Sequence, residues 1–217
     1  MIQLHHTPGT AAMVPHILLE EMGLAYKRVP VDRAAGAQKT PEYLQLNPNG
    51  QIPVLCDGQL VLYETAAIVL HLCDTHPAAN LAPAVGSTAR AHFYKWLMWL
   101  TNTLQATLMI YFYPERWVDE GNVGGATEVK AHAERKVAGL LDQLDAELAR
   151  QGGPWFGGSA YSALDAYVFT LCRWTRNFAN EAPARSRSHL GPYLQRMLAR
   201  AAVQRVLVNE KLAPPFV

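Results

Sequence analysis

The sequence predicts an α/β N-terminal half, in the order βαβ, a helical turn, then ββα, followed by an all-helical C-terminal half. Three observations predict it. Apolar residues in the first eighty positions alternate between a period of two and a helical period. Asp57-Gly58 sits between two apolar runs, a strong two-residue hairpin signal. From about residue 88 the spacing is helical throughout. The composition suits a real core: 217 residues, 50% hydrophobic and 17% charged. With 19 Lys+Arg against 18 Asp+Glu, the formal net charge is +1, which gives no electrostatic reason to expect nucleic acid or an anionic membrane as partner. No run approaches the ~18 apolar residues of a membrane span. The N-terminal MIQLHHTPGT lacks the basic start and apolar stretch of a signal peptide. Cys56, Cys73 and Cys172 lie far apart, so neither a disulfide framework nor metal-ligand spacing follows. The expectation is a soluble, cytoplasmic globular protein without a metal.

The elements follow in order. Ile2, Leu4 and His6 alternate with Gln3 and His5 as a first strand, and Thr7-Pro8-Gly9-Thr10 is turn chemistry. Ala12 to Met22 is helical, with Val14, Ile17, Leu18 and Met22 on one face. Pro15 is tolerable there only near the start, and Gly23 stops the helix. Tyr26 to Val31 is a second strand. Residues 32–49 form a loop with a short helix from Pro41 to Leu46. Ile52 to Cys56 and Leu60 to Tyr63 are the hairpin strands, and Glu64 opens a helix that His76-Pro77 ends. In the second half, Phe93 to Leu108 marks a long amphipathic helix that Pro114 bends or ends. Val129 to Leu148, Ser162 to Phe178, Leu190 to Arg200 and Val203 to Leu207 mark the others. The stretch Pro77 to Thr88 reads as a linker. Domains are accordingly set at 1–78 and 89–217, with 79–88 between them.

Three local patterns then coincide: Asn47-Pro48-Asn49-Gly50-Gln51-Ile52-Pro53-Val54-Leu55, Glu64-Thr65-Ala66-Ala67-Ile68, and Ser162-Ala163-Leu164-Asp165-Ala166. Their order and spacing resemble the cytosolic glutathione transferase superfamily, over nearly the whole chain. The resemblance implies a thioredoxin-like first domain with a mixed four-stranded sheet. That domain would bind glutathione as co-substrate, and an all-α domain would follow. It also implies a homodimer, a hydrophobic electrophile as second substrate, and a role in detoxification.

By the same resemblance, Pro53 is cis and Ile52 pairs its backbone with the cysteinyl part of glutathione, as an added strand would. Glu64 and Thr65 hold the γ-glutamyl group at a helix N-terminus, where unpaired N–H groups favour a carboxylate. Lys39 is placed to meet the glycyl carboxylate, and Gln51 to hydrogen-bond the peptide. Ser162-x-x-Asp165 is a capping-box arrangement and structural. The electrophile pocket is expected between the domains, lined by His6, Tyr113 and Trp117.

The segment from Thr7 to Ile17 is most similar to the bacterial beta class, yet departs from it at the chemistry. That class carries a cysteine and a serine where this chain has Ala11 and Ala12, so thiol exchange at this site is not expected. Its tyrosine at the end of the first strand is matched by His6, and its long-helix histidine falls near Gln105. The thiolate must then be stabilised by backbone N–H groups near Ala11, by the Thr10 hydroxyl, or by Thr7. For Thr10 the bland alternative is a helix cap. The leading reading is thiolate attack on an electrophile. The alternatives are a non-catalytic glutathione-binding or protein-interaction module, and a glutathione-dependent isomerase, lyase or dehalogenase on the same scaffold.

Overall fold

Ile2–His6 forms β1, an alternating strand whose Ile2, Leu4 and His6 are buried. In the computed structural model, which describes residues 1–217, the chain divides into two units. The first comprises residues 1–83 together with 198–213. After β1 come α1 (Met13–Met22), β2 (Tyr26–Pro30), a 3-10 turn at Ala37–Lys39, and α2 (Pro41–Leu46). Then follow β3 (Val54–Asp57), β4 (Leu60–Tyr63) and α3 (Thr65–Thr75). The sheet order is β2-β1-β3-β4, with β1 parallel to β2 and the other two pairings antiparallel. This is the predicted mixed four-stranded sheet. Its core is formed by Leu4, Ile17, Leu18, Val54, Leu55, Ile68 and Leu72, each with no exposed surface. Gly23 ends α1 in the left-handed conformation that glycine adopts at least cost.

A helix from late in the chain completes this unit. It is α9 (Ala201–Asn209), which buries Ala202, Val203, Val206 and Leu207 and packs against α1. Two guanidinium–carboxylate pairs tie the two helices: Arg200 to Glu21 at 2.6 and 2.8 Å, and Arg205 to Glu20 at 2.5 Å.

The second unit spans residues 84–197 and 214–217. Its helices are α4 (Thr88–Trp99), α5 (Ala106–Phe112), α6 (Val123–Gln151), α7 (Ala163–Trp174) and α8 (Leu190–Leu198, whose last residue is counted with the first unit). Every residue of α7 is buried. The Asp165 carboxylate accepts from the Ser162 N–H at 2.8 Å, as a capping box requires, and also from Phe156 N–H and Tyr193 OH. No helix is long and apolar enough to cross a membrane.

Several boundaries differ from the sequence reading. The third strand starts at Val54 rather than Ile52, because Pro53 has no N–H to give to a ladder. The long helix expected from Phe93 to Leu108 is interrupted at Leu100–Gln105 by a π-helical turn, and it ends at Phe112, just before Tyr113 and Pro114. Tyr167 OH bonds to Thr101 Oγ1 at 2.5 Å and donates to Gln105 Oε1, so both ends of that turn share one partner. The helix read from Val129 starts earlier, at Val123, where the Asn122 side chain caps it by accepting from Gly125 N–H at 2.8 Å. The helix read through Phe178 ends at Trp174.

Candidate functional site

The sheet register brings the sequence motifs of the first unit together. His5 pairs with Val54, and Val54 pairs with Tyr63. The C-terminal end of β1, the N-terminal end of β3 and the C-terminal end of β4 therefore lie side by side. Each motif is the segment just beyond one of those ends: Thr7 to Ala12 after β1, Ile52-Pro53 before β3, and Glu64-Thr65 after β4. One edge of the sheet thus carries a helix N-terminus, an irregular peptide and a second helix N-terminus.

The turn after β1 is pinned by its own hydroxyls. Thr7 Oγ1 donates to Val31 O at 2.6 Å, tying the turn to the end of β2. Thr10 Oγ1 donates to Thr7 O at 2.7 Å. Its single hydrogen is thereby used, and what it offers α1 is an acceptor, 3.4 Å from Ala12 N. Ala11 and Ala12 are buried at the head of α1, and no side chain caps that helix. The amides that follow are engaged locally, Ala12 N–H on Thr10 Oγ1, Met13 N–H on Thr10 O at 3.0 Å and Val14 N–H on Ala11 O at 3.1 Å, and Pro15 has none, so what this end offers a ligand is the Ala11 N–H and a partial positive charge.

Ile52-Pro53 is a cis peptide, as expected from the motif. The segment leading to it is held by the Gln51 carbonyl, which accepts from Tyr43 OH at 2.8 Å and Asn47 Nδ2 at 2.9 Å. Gln51's own side chain lies on an exposed residue, while Ile52 is half-buried and Pro53 buried. Lys39 is exposed, and it meets this segment at Gly50. A Cβ there would lie 2.8 Å from Gln38 O and 3.0 Å from Lys39 Nζ, and the backbone has φ +59°. Glycine is required on both counts.

Glu64 has φ 70° and ψ 114°, a conformation that non-glycine residues avoid, and its side chain makes no capping hydrogen bond. Such strain costs on the order of 1–3 kcal/mol and persists only where the surroundings enforce it, often at ligand clamps. The consequence is an exposed carboxylate beside the unpaired amides that open α3, with Thr65 buried immediately after it.

Comparison with known proteins identifies what this edge belongs to. The family model described as glutathione S-transferase, N-terminal domain, matches residues 1–74, and that for the C-terminal domain matches 126–201. A glutathione S-transferase of Xanthomonas campestris pv. campestris is 32% identical over 97% of this chain and 100% of its own length. The chain belongs to the glutathione S-transferase family. Among solved structures, a glutathione transferase homologue from Sulfitobacter with bound glutathione superposes with a TM-score of 0.88 at 28% identity, covering 98% of this chain and 99% of that one. A beta-class glutathione S-transferase from Sphingomonas chungbukensis gives a TM-score of 0.83 at 30% identity, covering 97% of this chain and 100% of the other.

The register of this glutathione S-transferase gathers Thr10, Ala11, Ile52, Pro53, Glu64 and Thr65 along one edge, with Lys39 and Gln51 joined to it through the loop at Gly50. His6 is placed differently. It is only 4% exposed, its Nδ1 has no hydrogen-bond partner, and its ring centroid lies 6.1 Å from that of His16. Burial lowers its pKa below the usual histidine value. Tyr113 and Trp117 belong to the second unit. Tyr113 is half-buried, with the Arg116 guanidinium 4.1 Å from its ring centroid, and Trp117 is 61% exposed. Sequence reasoning missed Glu210 and His16. Glu210 Oε2 accepts from Gly9 N–H at 2.7 Å, and its Oε1 lies 2.7 Å from His16 Nδ1. No local signal marks Glu210, because its partners are about two hundred positions away in the chain.

Proposed function

We propose that this protein binds glutathione along the sheet edge of its first unit and promotes attack of the glutathione thiolate on a hydrophobic electrophile. The observation that carries the reading is the register, which sets two helix N-termini on either side of the peptide at Ile52-Pro53. The α3 end and the Thr65 hydroxyl suit the γ-glutamyl carboxylate, and the Glu64 carboxylate suits the ammonium beside it. The Ile52 backbone suits the cysteinyl amide, and Lys39 and Gln51 suit the glycyl end. The sulfur is then directed to the head of α1. A free thiol has a pKa of about 8.5 and is only a few per cent thiolate at neutral pH. The Ala11 N–H and the helix potential at the head of α1 favour the anion without a cysteine. Thr10 joins them as a hydroxyl donor if its hydrogen leaves Thr7 O for sulfur.

Tyr113 and Trp117 of the second unit are proposed as lining for the electrophile pocket, whereas His6, buried beside His16, is not. The homodimer is carried forward from the family resemblance, and the cytoplasmic location from the sequence composition. A second reading, a glutathione-binding protein without transferase activity, is favoured by Ala11 and by the committed Thr10 hydroxyl.

Calorimetric titration with glutathione at pH 7 tests binding. We expect wild-type dissociation constants between micromolar and low millimolar, and more than tenfold weaker binding by Glu64→Ala, since a hydrogen-bonded charge contributes about 1.5–3 kcal/mol. Equal affinity of the two proteins refutes the role given to Glu64. Turnover of a chlorodinitrobenzene separates the transferase from the binding-only reading.

A further inference from the structure

We propose that Glu210 is a positioning residue of the thiol site, holding the Thr7–Thr10 turn and the head of α1 in one orientation. The inference rests on the glutathione reading above and deepens it. Glu210 follows α9 and is only 3% exposed; its side chain and that of His16 are wholly buried. A buried carboxylate is unfavourable unless each oxygen is met by a donor. Here one oxygen takes the Gly9 N–H and the other takes His16 Nδ1–H, both at 2.7 Å. With Nδ1 facing Glu210, His16 Nε2 has no partner.

The two partners are what give the contact its meaning. Gly9 is the middle of the turn and has φ +71°, so its N–H faces Glu210 only because glycine allows that conformation. His16 lies on the helix that the turn leads into. One carboxylate therefore spans the turn and α1 and fixes the angle between them. Ala11, whose amide is assigned to the sulfur, lies between the two points of attachment. The turn's other anchors are Thr7 Oγ1 to Val31 O, Thr10 Oγ1 to Thr7 O, and two local bonds to the start of α1, Ala12 N–H to Thr10 Oγ1 at 3.4 Å and Met13 N–H to Thr10 O at 3.0 Å; Glu210 is the group from another helix that holds both the turn and α1. The charged and titratable groups around Glu210 are His6 on β1, Tyr26 and Arg28 on β2, Glu20 and His16 on α1, and Arg205 on α9.

Positioning and simple charge predict opposite signs. Removing a nearby negative charge makes a thiolate easier to form, whereas losing the alignment of its N–H donors makes it harder. The experiment titrates bound glutathione by the ultraviolet absorbance of its thiolate, in wild type and in Glu210→Ala, Glu210→Gln and Glu210→Asp, each with glutathione saturating by calorimetry. We expect Glu210→Ala to raise the ionisation pH by about one unit, a tenfold smaller thiolate fraction at neutral pH. The kcat for a chlorodinitrobenzene should fall by a similar factor while the KM for glutathione moves far less. Glu210→Gln keeps an acceptor for Gly9 N–H and should remain within about threefold of wild type. If Glu210→Ala does not fold, Glu210→Asp carries the test, since its shorter side chain cannot reach both partners. An ionisation pH that stays or falls in the folded alanine or aspartate variant overturns the proposal, whatever happens to thermal stability. A wild-type protein that binds no glutathione overturns this proposal together with the reading beneath it; binding by wild type with unmoved variants overturns this proposal alone.

Discussion

The carboxylate that opens α7 offers a sign test of which effect governs a buried charge. Asp165 has no exposed surface and receives four donors: Phe156 N–H at 2.7 Å, Ser162 N–H at 2.8 Å, Tyr193 OH at 3.0 Å and Ser162 Oγ at 3.2 Å. Burial opposes the donors and prevails, so the carboxyl is pushed up to about 6 from its ordinary value. A folded-state pKa above the unfolded one adds stability in acid, and that stability is lost as pH rises from about 4 through about 6. Two pH units at 1.36 kcal/mol each give on the order of 3 kcal/mol. Asp165→Asn cannot ionise, and its carbonyl oxygen still accepts from Phe156 N–H and Tyr193 OH. Urea unfolding of both proteins from pH 4 to pH 7 gives the difference directly. We expect the asparagine variant to gain on the wild type by about 3 kcal/mol across that range, whatever its constant offset. A difference that does not vary with pH would refute the reasoning. A difference running the other way would mean that the four donors outweigh burial.

Two further outcomes follow from other contacts. Thr10→Val should leave the ionisation of bound glutathione within about 0.3 pH units of wild type, because the hydroxyl hydrogen is already donated to Thr7 O. A rise near one unit, read by thiolate absorbance, would show that the hydroxyl turns to the sulfur instead. Glu134 is pulled the opposite way from Asp165: burial raises its pKa, but Asn180 and Glu181 N–H groups and the Asn180 side chain, at 2.8 to 3.1 Å, bring it below the usual value. Its contribution is therefore full above about pH 4.3 and is lost as pH falls through the lower folded value. Glu134→Gln should flatten that part of the acid-unfolding curve, and an unchanged acid limb would remove Glu134 from the account.

What could be read from the sequence was local. The helix at Pro41–Leu46 has the predicted bounds because its signals are adjacent: Thr40 accepts from Tyr43 N–H as a cap, and proline follows in the first turn. Asp57-Gly58 marked the hairpin one residue early: Asp57 still pairs with Leu60 as the end of β3, and the two-residue turn is Gly58-Gln59, with glycine at φ +59°. The motifs assigned here to glutathione were legible for the same reason, each being a strand end plus its neighbouring residues. The start of α6 was hidden because Gly124 and Gly125 disfavour helix by propensity. A Cβ on Gly125 would meet Asn122 Nδ2 at 2.5 Å, so the residue that weakens the helix is the one its cap needs. The π turn at Leu100–Gln105 leaves too small a change of period to see in apolar spacing. Glu210 was beyond reach altogether, since a single glutamate after a short helix carries no hint of a glycine N–H near the other end of the chain.

The discontinuity of the first unit has a consequence for synthesis. When residues 1–83 leave the ribosome, the face of α1 that α9 covers has no cover, and Glu210, which accepts from the Gly9 N–H, has not been made. All of residues 84–197 must be translated before either arrives, on the order of ten seconds at ordinary elongation rates. During that interval the nascent chain presents an apolar helix face to whatever is nearby. A fragment ending near residue 83 would carry the same defect permanently. The sheet edge that we assign to glutathione is thus completed only by residues 198–213, and a message truncated before residue 198 would encode the motifs of that edge without the carboxylate that joins its turn to α1.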